Sequence, residues 1–428
     1  MVPPGRRRFP GVHGGRKGCG QSRGGGALRG DRGARPAVER AGRRTPGLRG
    51  HGRGRSSVSA SLIIVPAGPG AGPVPGPDAV LVGLSLRRRA VLAAARAGIR
   101  DVRVAEPGAA WAEGVVTSGR HRIILLPANV IPQPSWLRRL AEMPLTPDTL
   151  WVDSADTVVV ESERTSDVFE AARAAGSAVE LVTTLRISFG KVDGELDPRG
   201  RFVLESADDL PAAERWLLKS LIKDSEGFMS RHVERRISLA VTRRLVGTRV
   251  TPNLMTMVSL CIGLSGAPFF LSGEPALQLA GAALFLLHSI LDGCDGELAR
   301  LKFHESRFGA ALDFWGDNAV HVAVFSCMAL GWSVRVGAAW PLLLGTVACA
   351  STLLAATAEA PHLLTPAVPG APRSAGARLA DALAHRDFIY VVIVLAAFGQ
   401  AAWFLFPVAI GTPLFVLVRL WADRPGRR

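Results

Sequence analysis

Five uncharged, mostly apolar runs occupy most of the chain after residue 250 and restrict its fold more than any other feature. They cover residues 250–273, 275–291, 318–334, 336–358 and 388–418. A helix needs about 20 apolar residues to cross a bilayer, so each of the first four runs is close to one span. The last run has 31 residues and divides near Gly399–Gln400 into two. We therefore predict a six-span, α-helical integral membrane domain over residues 250–428.

The short loops between these runs set the predicted orientation. Basic residues precede the first run, lie between runs two and three and between runs four and five, and close the chain. The alternate loops hold only Arg335. Because Lys and Arg in short loops favour the cytoplasmic side, we expect a multi-pass protein of the cell membrane with both termini in the cytoplasm.

The net charge of +15 belongs almost entirely to residues 1–57. This segment holds 14 Arg, one Lys and 16 Gly against two acidic residues, which gives it a net charge of +13. It has no apolar periodicity and no apolar core of a signal peptide, so we predict a disordered tail. A tail that contacts RNA or lipid stays open, but a nucleic-acid-binding globular domain is not supported.

Residues 58–222 alternate between strand and helix patterns, which predicts a soluble α/β domain with a mostly parallel sheet covered by helices. The predicted strands are Ser61–Val65, Val102–Ala105, Arg122–Leu126, Leu150–Val152, Val158–Val160 and Val179–Val182. The predicted helices are Leu86–Ala97, ended by Gly98, and Ser135–Met143, Ser166–Ala175 and Asp209–Leu221.

Residues 223–249 join the two regions and contain an amphipathic pattern over Arg231–Val246. One helical stripe holds Val233, Ile237, Ala240, Val241 and Leu245, with most basic residues elsewhere. Such a pattern is typical of a helix lying in the membrane interface, and an ordinary packed linker helix fits it equally well.

Four aspartates flank the loop between the second and third runs. Asp292 and Asp295 are three residues apart, and Asp313 and Asp317 are four apart, so each pair shares one helix face. Four such carboxylates would repel one another, and a divalent cation relieves that repulsion. All-oxygen ligation favours Mg²⁺, with Mn²⁺ as an alternative, and two ions would suit a diphosphate substrate.

Small and basic residues near the aspartates fit the same chemistry. Gly296 and Gly309 leave room for a substrate or a facing helix, and Arg300 can pair with phosphate. The alternatives are a polar hairpin with solvated acids and a cation-binding transporter. Acids clustered at one end, with no internal repeat, disfavour the transporter.

The order of these residues resembles the signature of the CDP-alcohol phosphotransferase (phosphatidyltransferase) family. It reads Asp292-x2-Asp295-Gly296-x2-Ala299-Arg300-x8-Gly309-x3-Asp313-x3-Asp317. The resemblance implies a membrane enzyme that transfers a substituted phosphate from a CDP-alcohol, such as CDP-diacylglycerol or CDP-inositol, to an alcohol or inositol-phosphate acceptor, releasing CMP. Members take part in phospholipid or inositol-phosphate-diester biosynthesis, contact membrane lipids and often form homodimers.

The resemblance also implies residue roles. The four aspartates would bind two metal ions, and Asp317 would also accept the proton of the acceptor hydroxyl. The predicted substrate-binding residues are Asn253, Thr256, Gly296, Arg300, Ser306 and Gly309. By contrast, we expect His288, His304 and His321 to serve packing or interface contacts. Lys302, Arg307 and Arg386 are available to an anionic acceptor, although the positive-inside rule alone explains them.

The layout, including the junction Leu217–Arg231, resembles bifunctional inositol-1-phosphate cytidylyltransferase/di-inositol-phosphate phosphate synthases. The soluble half, however, departs from the nucleotidyltransferase pattern. Its loop over residues 67–73 lacks the expected Arg, and Asn129 stands where a metal-binding Asp is expected. We therefore expect a degenerate nucleotidyltransferase-like domain acting as scaffold or regulatory dock, with a bifunctional enzyme that makes its own CDP-alcohol as the alternative.

Overall fold

A computed structural model describes residues 60–68, 73–105, 119–189, 192–222, 229–363 and 388–422. All of these belong to one compact unit, Ser57–Arg428. The tail predicted over residues 1–57 lies outside the described residues. Within the unit, an α/β region precedes a region of long helices.

The α/β region is built on a six-stranded sheet with the order β4-β1-β5-β8-β7-β9. The strands are β1 (Ala60–Val65), β2 (Val80–Leu81), β3 (Leu84–Ser85), β4 (Asp101–Val104), β5 (His121–Pro127), β6 (Val130–Pro132), β7 (Leu150–Val152), β8 (Val158–Ser162), β9 (Val192–Glu195) and β10 (Arg201–Val203). The helices are α1 (Leu86–Ala97), α2 (Pro134–Glu142), α3 (Thr165–Ala174), α4 (Ala178–Phe189) and α5 (Leu210–Lys219).

Strand β1 explains why helices cover both faces of this sheet. Leu62 and Ile64 point into a core shared with α1 and α2, whereas Ile63 and Val65 point into a second core shared with α3 and α4. A strand with apolar residues on both faces is typical of the centre of a sheet buried between helices. The predicted α/β layering is therefore confirmed.

The sheet is mostly parallel, as predicted, because β4, β1, β5, β7 and β9 run in one direction and β8 alone runs the other way. β1 pairs in parallel with β4 and β5, and β7 with β9, but β8 is antiparallel to both β5 and β7. The turn Asp153–Thr157 is too short for a crossover, so β8 must run back beside β7. The Asp153 side chain fixes this turn by accepting hydrogen bonds from the backbone N–H groups of Ala155 and Thr157, both at 2.9 Å.

One predicted strand is wrong. Val179–Val182 lies inside α4, where Leu181, Val182, Leu185 and Phe189 are buried at helical spacing. A short run of β-branched residues fits either structure, and the helical period becomes visible only when the window extends to Phe189. The other predicted elements of the α/β region are present, and α1 ends at Gly98, whose φ of +92° favours glycine.

The second region consists of helices, most of them long and apolar. They are α6 (Arg235–Leu245), α7 (Pro252–Gly266), α8 (Pro275–Lys302), α9 (Arg307–Val336), α10 (Trp340–Leu363), α11 (Phe388–Ala397) and α12 (Leu405–Ala422). Among the described residues, five helical segments have the length and composition of membrane spans. They are Pro252–Leu271, Pro275–Lys302, Arg307–Val336, Trp340–Pro361 and Ala401–Val418.

The sixth predicted span corresponds to α11, an apolar helix of ten residues and thus shorter than a span as described. The predicted break near Gly399–Gln400 is present, because α11 ends at Ala397 and Gly399 adopts a φ of +70°. The structure therefore shows five span-length helices and one shorter apolar helix in the described residues.

The α/β region holds the loop that joins α8 to α9. Arg89 of α1 is 3% exposed and donates hydrogen bonds to the backbone oxygens of Leu301, Leu81 and Val82. Phe303 adopts a left-handed φ of +57° and packs against the core on the α1 and α2 side of the sheet. This loop is thus fixed from the soluble side as well as by its own helices.

Candidate active site

The four predicted aspartates lie where α8 and α9 approach their common loop. Asp292 and Asp295 occupy one face of α8, about one turn apart, and are 6% and 5% exposed. Asp313 and Asp317 lie one turn apart on the first half of α9. Two adjacent helices thus direct acidic side chains towards one place, as the spacing predicted.

Three of these carboxylates converge closely. Asp292, Asp295 and Asp313 each offer an oxygen, and these atoms lie within 4.8 Å of one another. Asp313 Oδ1 is buried, and no described residue forms a hydrogen bond with it. Buried like charges at this separation need a counter-charge, and a set of carboxylate oxygens is the donor set that Mg²⁺ or Mn²⁺ prefers. The residues present therefore fit a divalent cation.

The fourth aspartate, Asp317, contacts His288. Its Oδ1 lies 3.5 Å from His288 Nε2, and the other ring nitrogen of His288 is 2.7 Å from the Ser259 hydroxyl. His288 is 4% exposed and stacks on Phe285, so the expected packing role is present. The contact with Asp317 adds a role that the sequence did not reveal.

A cavity of about 240 Å³ opens beside the aspartates. Asp295 and Asp313 line it, as do all six predicted substrate-binding residues, which are Asn253, Thr256, Gly296, Arg300, Ser306 and Gly309. The motif residues from α7, α8 and α9 therefore surround one common space. His304 and Glu305, from the loop, complete part of its wall.

Local sequence explains how α7 reaches this cavity. Thr251 caps the helix by accepting a hydrogen bond from the Leu254 N–H. Pro252 occupies the first turn, where a backbone N–H would have no acceptor within the helix, so its missing N–H costs no hydrogen bond. This start places Thr256 one turn inside the helix, where its hydroxyl donates a hydrogen bond to Asp295. α7 thus contributes directly to the carboxylate group.

Gly309 permits the close approach of α9 to α7. A Cβ atom at this position would lie 2.8 Å from Asn253 Oδ1 and 3.0 Å from Ser306 Oγ. Ser306 caps α9 by accepting a hydrogen bond of 2.9 Å from the Gly309 N–H. Any side chain at residue 309 would therefore displace the groups that line the cavity.

A buried acid on another face of α8 was not predicted from the sequence. Glu297 is fully buried and accepts hydrogen bonds from Arg235 Nη1 at 2.9 Å, Ser238 Oγ at 2.6 Å and Thr242 Oγ1 at 2.6 Å. These donors lie on α6 or at its start, so this network fixes α6 against the helix that carries Asp292 and Asp295. A charged residue between apolar runs was the available signal.

This network also changes the interpretation of α6. The polar residues Glu234, Ser238 and Thr242 are buried, whereas Val233 and Ile237 of the predicted apolar stripe are exposed. The protein-facing side of the helix is therefore partly polar, while Val241 and Leu245 of the same stripe pack against an apolar core. The outward side carries exposed arginines beside Val233 and Ile237. Packing and an interfacial position, posed as alternatives from the sequence, are compatible in this helix.

Two further residues singled out from the sequence have structural explanations. Lys302 Nζ donates hydrogen bonds of 2.9 Å to the backbone oxygens of Thr248 and Val250, so its ammonium group links α8 to the start of α7. Asn129 Nδ2 donates to the Leu204 oxygen at 2.9 Å and thereby fixes β6 beside β10. Arg386 lies outside the described residues.

The membrane-length helices, the clustered aspartates and the cavity together define a membrane-embedded enzyme domain. Residues 249–411 match the sequence model of the CDP-alcohol phosphatidyltransferase family. This part of the chain is a CDP-alcohol phosphatidyltransferase domain, and the family resemblance of the aspartate motif is confirmed.

Two relatives and one solved structure illustrate this similarity. The bifunctional IPC transferase and DIPP synthase of Thermococcus kodakarensis is 34% identical over 174 residues, which cover 40% of this chain and 36% of that protein. The CDP-diacylglycerol–serine O-phosphatidyltransferase of Mycobacterium bovis is 37% identical over 101 residues, 22% of this chain and 34% of that protein. The chain thus spans about a third of the length of these relatives.

The solved structure is that of the Mycobacterium tuberculosis phosphatidylinositol phosphate synthase with CDP-DAG bound. It is 21% identical to this chain, with a TM-score of 0.34, and the alignment covers 45% of this chain and 96% of that one.

Proposed function

We propose that this protein is a membrane-embedded, divalent-cation-dependent enzyme that transfers a substituted phosphate from a CDP-alcohol to an alcohol and releases CMP. One observation carries the proposal: three carboxylates converge within 4.8 Å beside a cavity lined by the six predicted substrate-binding residues. The family match over residues 249–411 supports the same reaction class.

Asp292, Asp295 and Asp313 would hold the cation, and Asp317 would complete the set. The ion, Mg²⁺ or Mn²⁺, would neutralise charge on the diphosphate oxygens and make CMP a better leaving group. The protein supplies the rigid positions, because Thr256 holds Asp295 and the two helices fix the remaining carboxylates.

The cavity residues would bind and orient the CDP moiety. Arg300 supplies a planar cation suited to phosphate oxygens, while Asn253 and Ser306 present polar side chains on the facing helices. Gly296 and Gly309 keep the backbone of α8 and α9 accessible to the nucleotide. Alignment of donor and acceptor in this cavity would supply much of the rate enhancement.

Asp317 is the proposed acceptor of the hydroxyl proton. It lies on the same face of α9 as Asp313, one turn further on, and its Oδ1 is 3.5 Å from His288 Nε2. A carboxylate beside the reacting hydroxyl increases its nucleophilicity towards phosphorus, and the proton then resides on Asp317 until it exchanges with solvent.

The substrates proposed from the sequence are CDP-diacylglycerol or CDP-inositol as donor and an alcohol such as an inositol phosphate as acceptor. The proposed organisation is a tail over residues 1–57, a soluble domain over 58–222, a juxtamembrane helix over 223–249 and the membrane domain over 250–428. Both termini and the site face the cytoplasm in this proposal, which follows the loop charges. The structural use of Asn129 favours a degenerate soluble domain over a bifunctional enzyme.

The test is CMP release by the purified full-length protein in detergent with Mg²⁺. Each donor, CDP-diacylglycerol and CDP-inositol, is paired with glycerol phosphate, inositol phosphate and inositol. Turnover with one pair that disappears in Asp317→Asn, with unchanged thermal stability, supports the reaction and the base. Turnover of Asp317→Asn at the wild-type rate overturns the base, and no CMP from any pair overturns the reaction.

A further inference from the structure

A second cavity, of about 450 Å³, lies where the α/β region meets the membrane region. Helices α1 and α2 form its soluble side, and the end of α8 with the following loop forms its membrane side. Arg300 and Glu305 line both this cavity and the one beside the aspartates, so the two spaces share a wall. The proposed reaction uses none of the residues on the soluble side of this cavity.

The charge of this junction cavity is strongly positive. Its charged lining residues are Arg89, Arg96, Arg138, Arg300 and Glu305, which leaves a net charge of +3. Arg96 forms an ion pair of 2.8 Å with Glu305, so the single acid is already neutralised. Arg138 contributes its guanidinium from α2 and donates a hydrogen bond to the Arg96 backbone oxygen.

Arg89 is the most unusual of these groups because it is buried and bonded to backbone oxygens only. Its Nη atoms contact the oxygens of Leu301, Leu81 and Val82, while its Nε, also buried, has no hydrogen-bond partner among the described residues. Burial lowers the pKa of Arg89 to about 10, which still leaves the side chain charged at neutral pH. A buried cation of this kind is costly unless an anion comes near it.

The start of α2 adds a further attraction for anions. Gln133, Pro134 and Ser135 line the cavity at this helix terminus, and no side chain caps it. Pro134 has no N–H and the Trp136 N–H donates to the Gln133 oxygen, so the first turn offers the Ser135 N–H together with the positive end of the helix dipole, which suits a phosphate group. The arginines and the helix start therefore act in the same direction.

We propose that the junction cavity binds the phosphate group of a small phosphomonoester. Its volume admits a phosphorylated polyol, and planar guanidinium groups pair well with phosphate oxygens. The site itself goes beyond the proposed reaction. If the bound phosphomonoester is the acceptor of the reaction, the inference rests on the proposed function. If it is an effector, the inference is independent of that function.

The first experiment measures binding without catalysis. Isothermal titration of the full-length protein in uncharged detergent uses inorganic phosphate and myo-inositol 1-phosphate, with a chelator present and no CDP-alcohol. Under these conditions no metal at the aspartates can capture phosphate. We expect both probes to bind and Arg138→Gln to weaken binding by about tenfold or more, as loss of a charge-assisted hydrogen bond would.

The matched control is Arg139→Gln. Arg139 is the neighbouring residue on α2, but it donates to the Arg199 backbone oxygen and does not line the cavity. This variant should bind both probes as the wild type does. Absence of binding to the wild type, or equal affinities for all three proteins, would overturn the proposed site, whatever the outcome of the CMP assay.

Steady-state kinetics then distinguish a phosphorylated acceptor from a phosphorylated effector as the ligand of the cavity. If Arg138→Gln raises the KM of a phosphorylated acceptor and leaves kcat unchanged, the cavity holds the acceptor's phosphate. If binding is lost but this KM does not change, the ligand is an effector; both results support the site. An enzyme without CMP release would contradict the proposed reaction and leave the binding result intact.

Discussion

The α/β region and the membrane region treat buried charge in opposite ways. In the α/β region, Arg122 and Glu161 form an ion pair of 2.6 Å in which the side chains are only 5% and 13% exposed. In the membrane region, Asp292, Asp295 and Asp313 bring three like charges within 4.8 Å. In a buried pair of opposite charges each partner compensates the other, whereas buried like charges repel one another and need a bound counter-ion. The second arrangement therefore supports the proposed functional site.

The largest predicted effect belongs to Asp313→Asn, which removes one of the three like charges. CMP release should fall by about 10²–10³-fold, the usual loss when one group facing developing charge is removed. The metal-free variant should nevertheless melt at a higher temperature than metal-free wild type, because one buried like charge is gone. Mg²⁺ should raise the melting temperature of the wild type more than that of the variant. A variant that is both less stable and fully active would contradict the role of the site.

Glu161→Gln tests the opposite half of the comparison. Removing one partner of a buried ion pair leaves the Arg122 charge uncompensated and should cost about 3–5 kcal/mol of unfolding free energy. Glu163→Gln is a suitable control, since Glu163 pairs with Arg120 at 3.6 Å on the surface, where a pair contributes about 0–1 kcal/mol. Denaturant unfolding of both variants measures the difference, and equal losses would contradict the assignment.

Glu297→Gln tests the same contrast within a single helix, where a paired acid lies beside the group of like charges. Glu297 lies on α8 only two residues from Asp295, yet it has an ion pair and two hydroxyl donors. Its loss should reduce stability by about 1–3 kcal/mol, because the hydrogen bonds to a charged acceptor weaken. Thermal melting in detergent measures this effect, and a rise in melting temperature would place Glu297 with the aspartates instead.

The smallest effect concerns pH. Burial lowers the pKa of His121 below its ordinary value of 6.5, with Asp101 acting against this shift and Arg103 with it. The unfolded chain therefore binds a proton more readily than the folded one, so the stabilisation is present above pH 6.5 and is lost as pH falls through the folded pKa. Unfolding free energies measured between about pH 7.5 and about pH 5.5 should show this slope.

The variant His121→Gln should flatten that slope. The Ser61 hydroxyl lies 2.6 Å from His121 Nε2 and also donates to Asp101, so the histidine belongs to a buried polar group inside the sheet. An unchanged pH dependence in the variant would assign the slope to other residues.

Periodicity and motif spacing predicted much of this architecture from local information. The helix Leu86–Ala97 and the break at Gly399 follow from residues within one or two turns, and the aspartate pairs follow from helical spacing. The direction of β8 and the helix at Ala178–Phe189 depended instead on turn length and on a window wider than the apolar run. Local pattern alone cannot distinguish such cases.

The contacts near the site that were not predicted from the sequence join segments far apart in the chain. His288 faces Asp317 across two helices, and Glu297 joins α8 to donors some 55–62 residues earlier in the chain. Arg89 reaches Leu301 over 212 positions. Such pairs become visible only in the folded structure, because the local sequence around one residue does not identify its distant partner.

Phe303 restricts how this chain can vary. Its half-buried ring packs against the core beside α1 and α2, and its backbone turns at a positive φ of +57° between the two aspartate-bearing helices. An insertion or deletion on either side of Phe303 would shift Arg300 or Gly309 relative to this anchor. Variation in length among proteins built this way should therefore accumulate in other connections, leaving the segment from Arg300 to Gly309 constant.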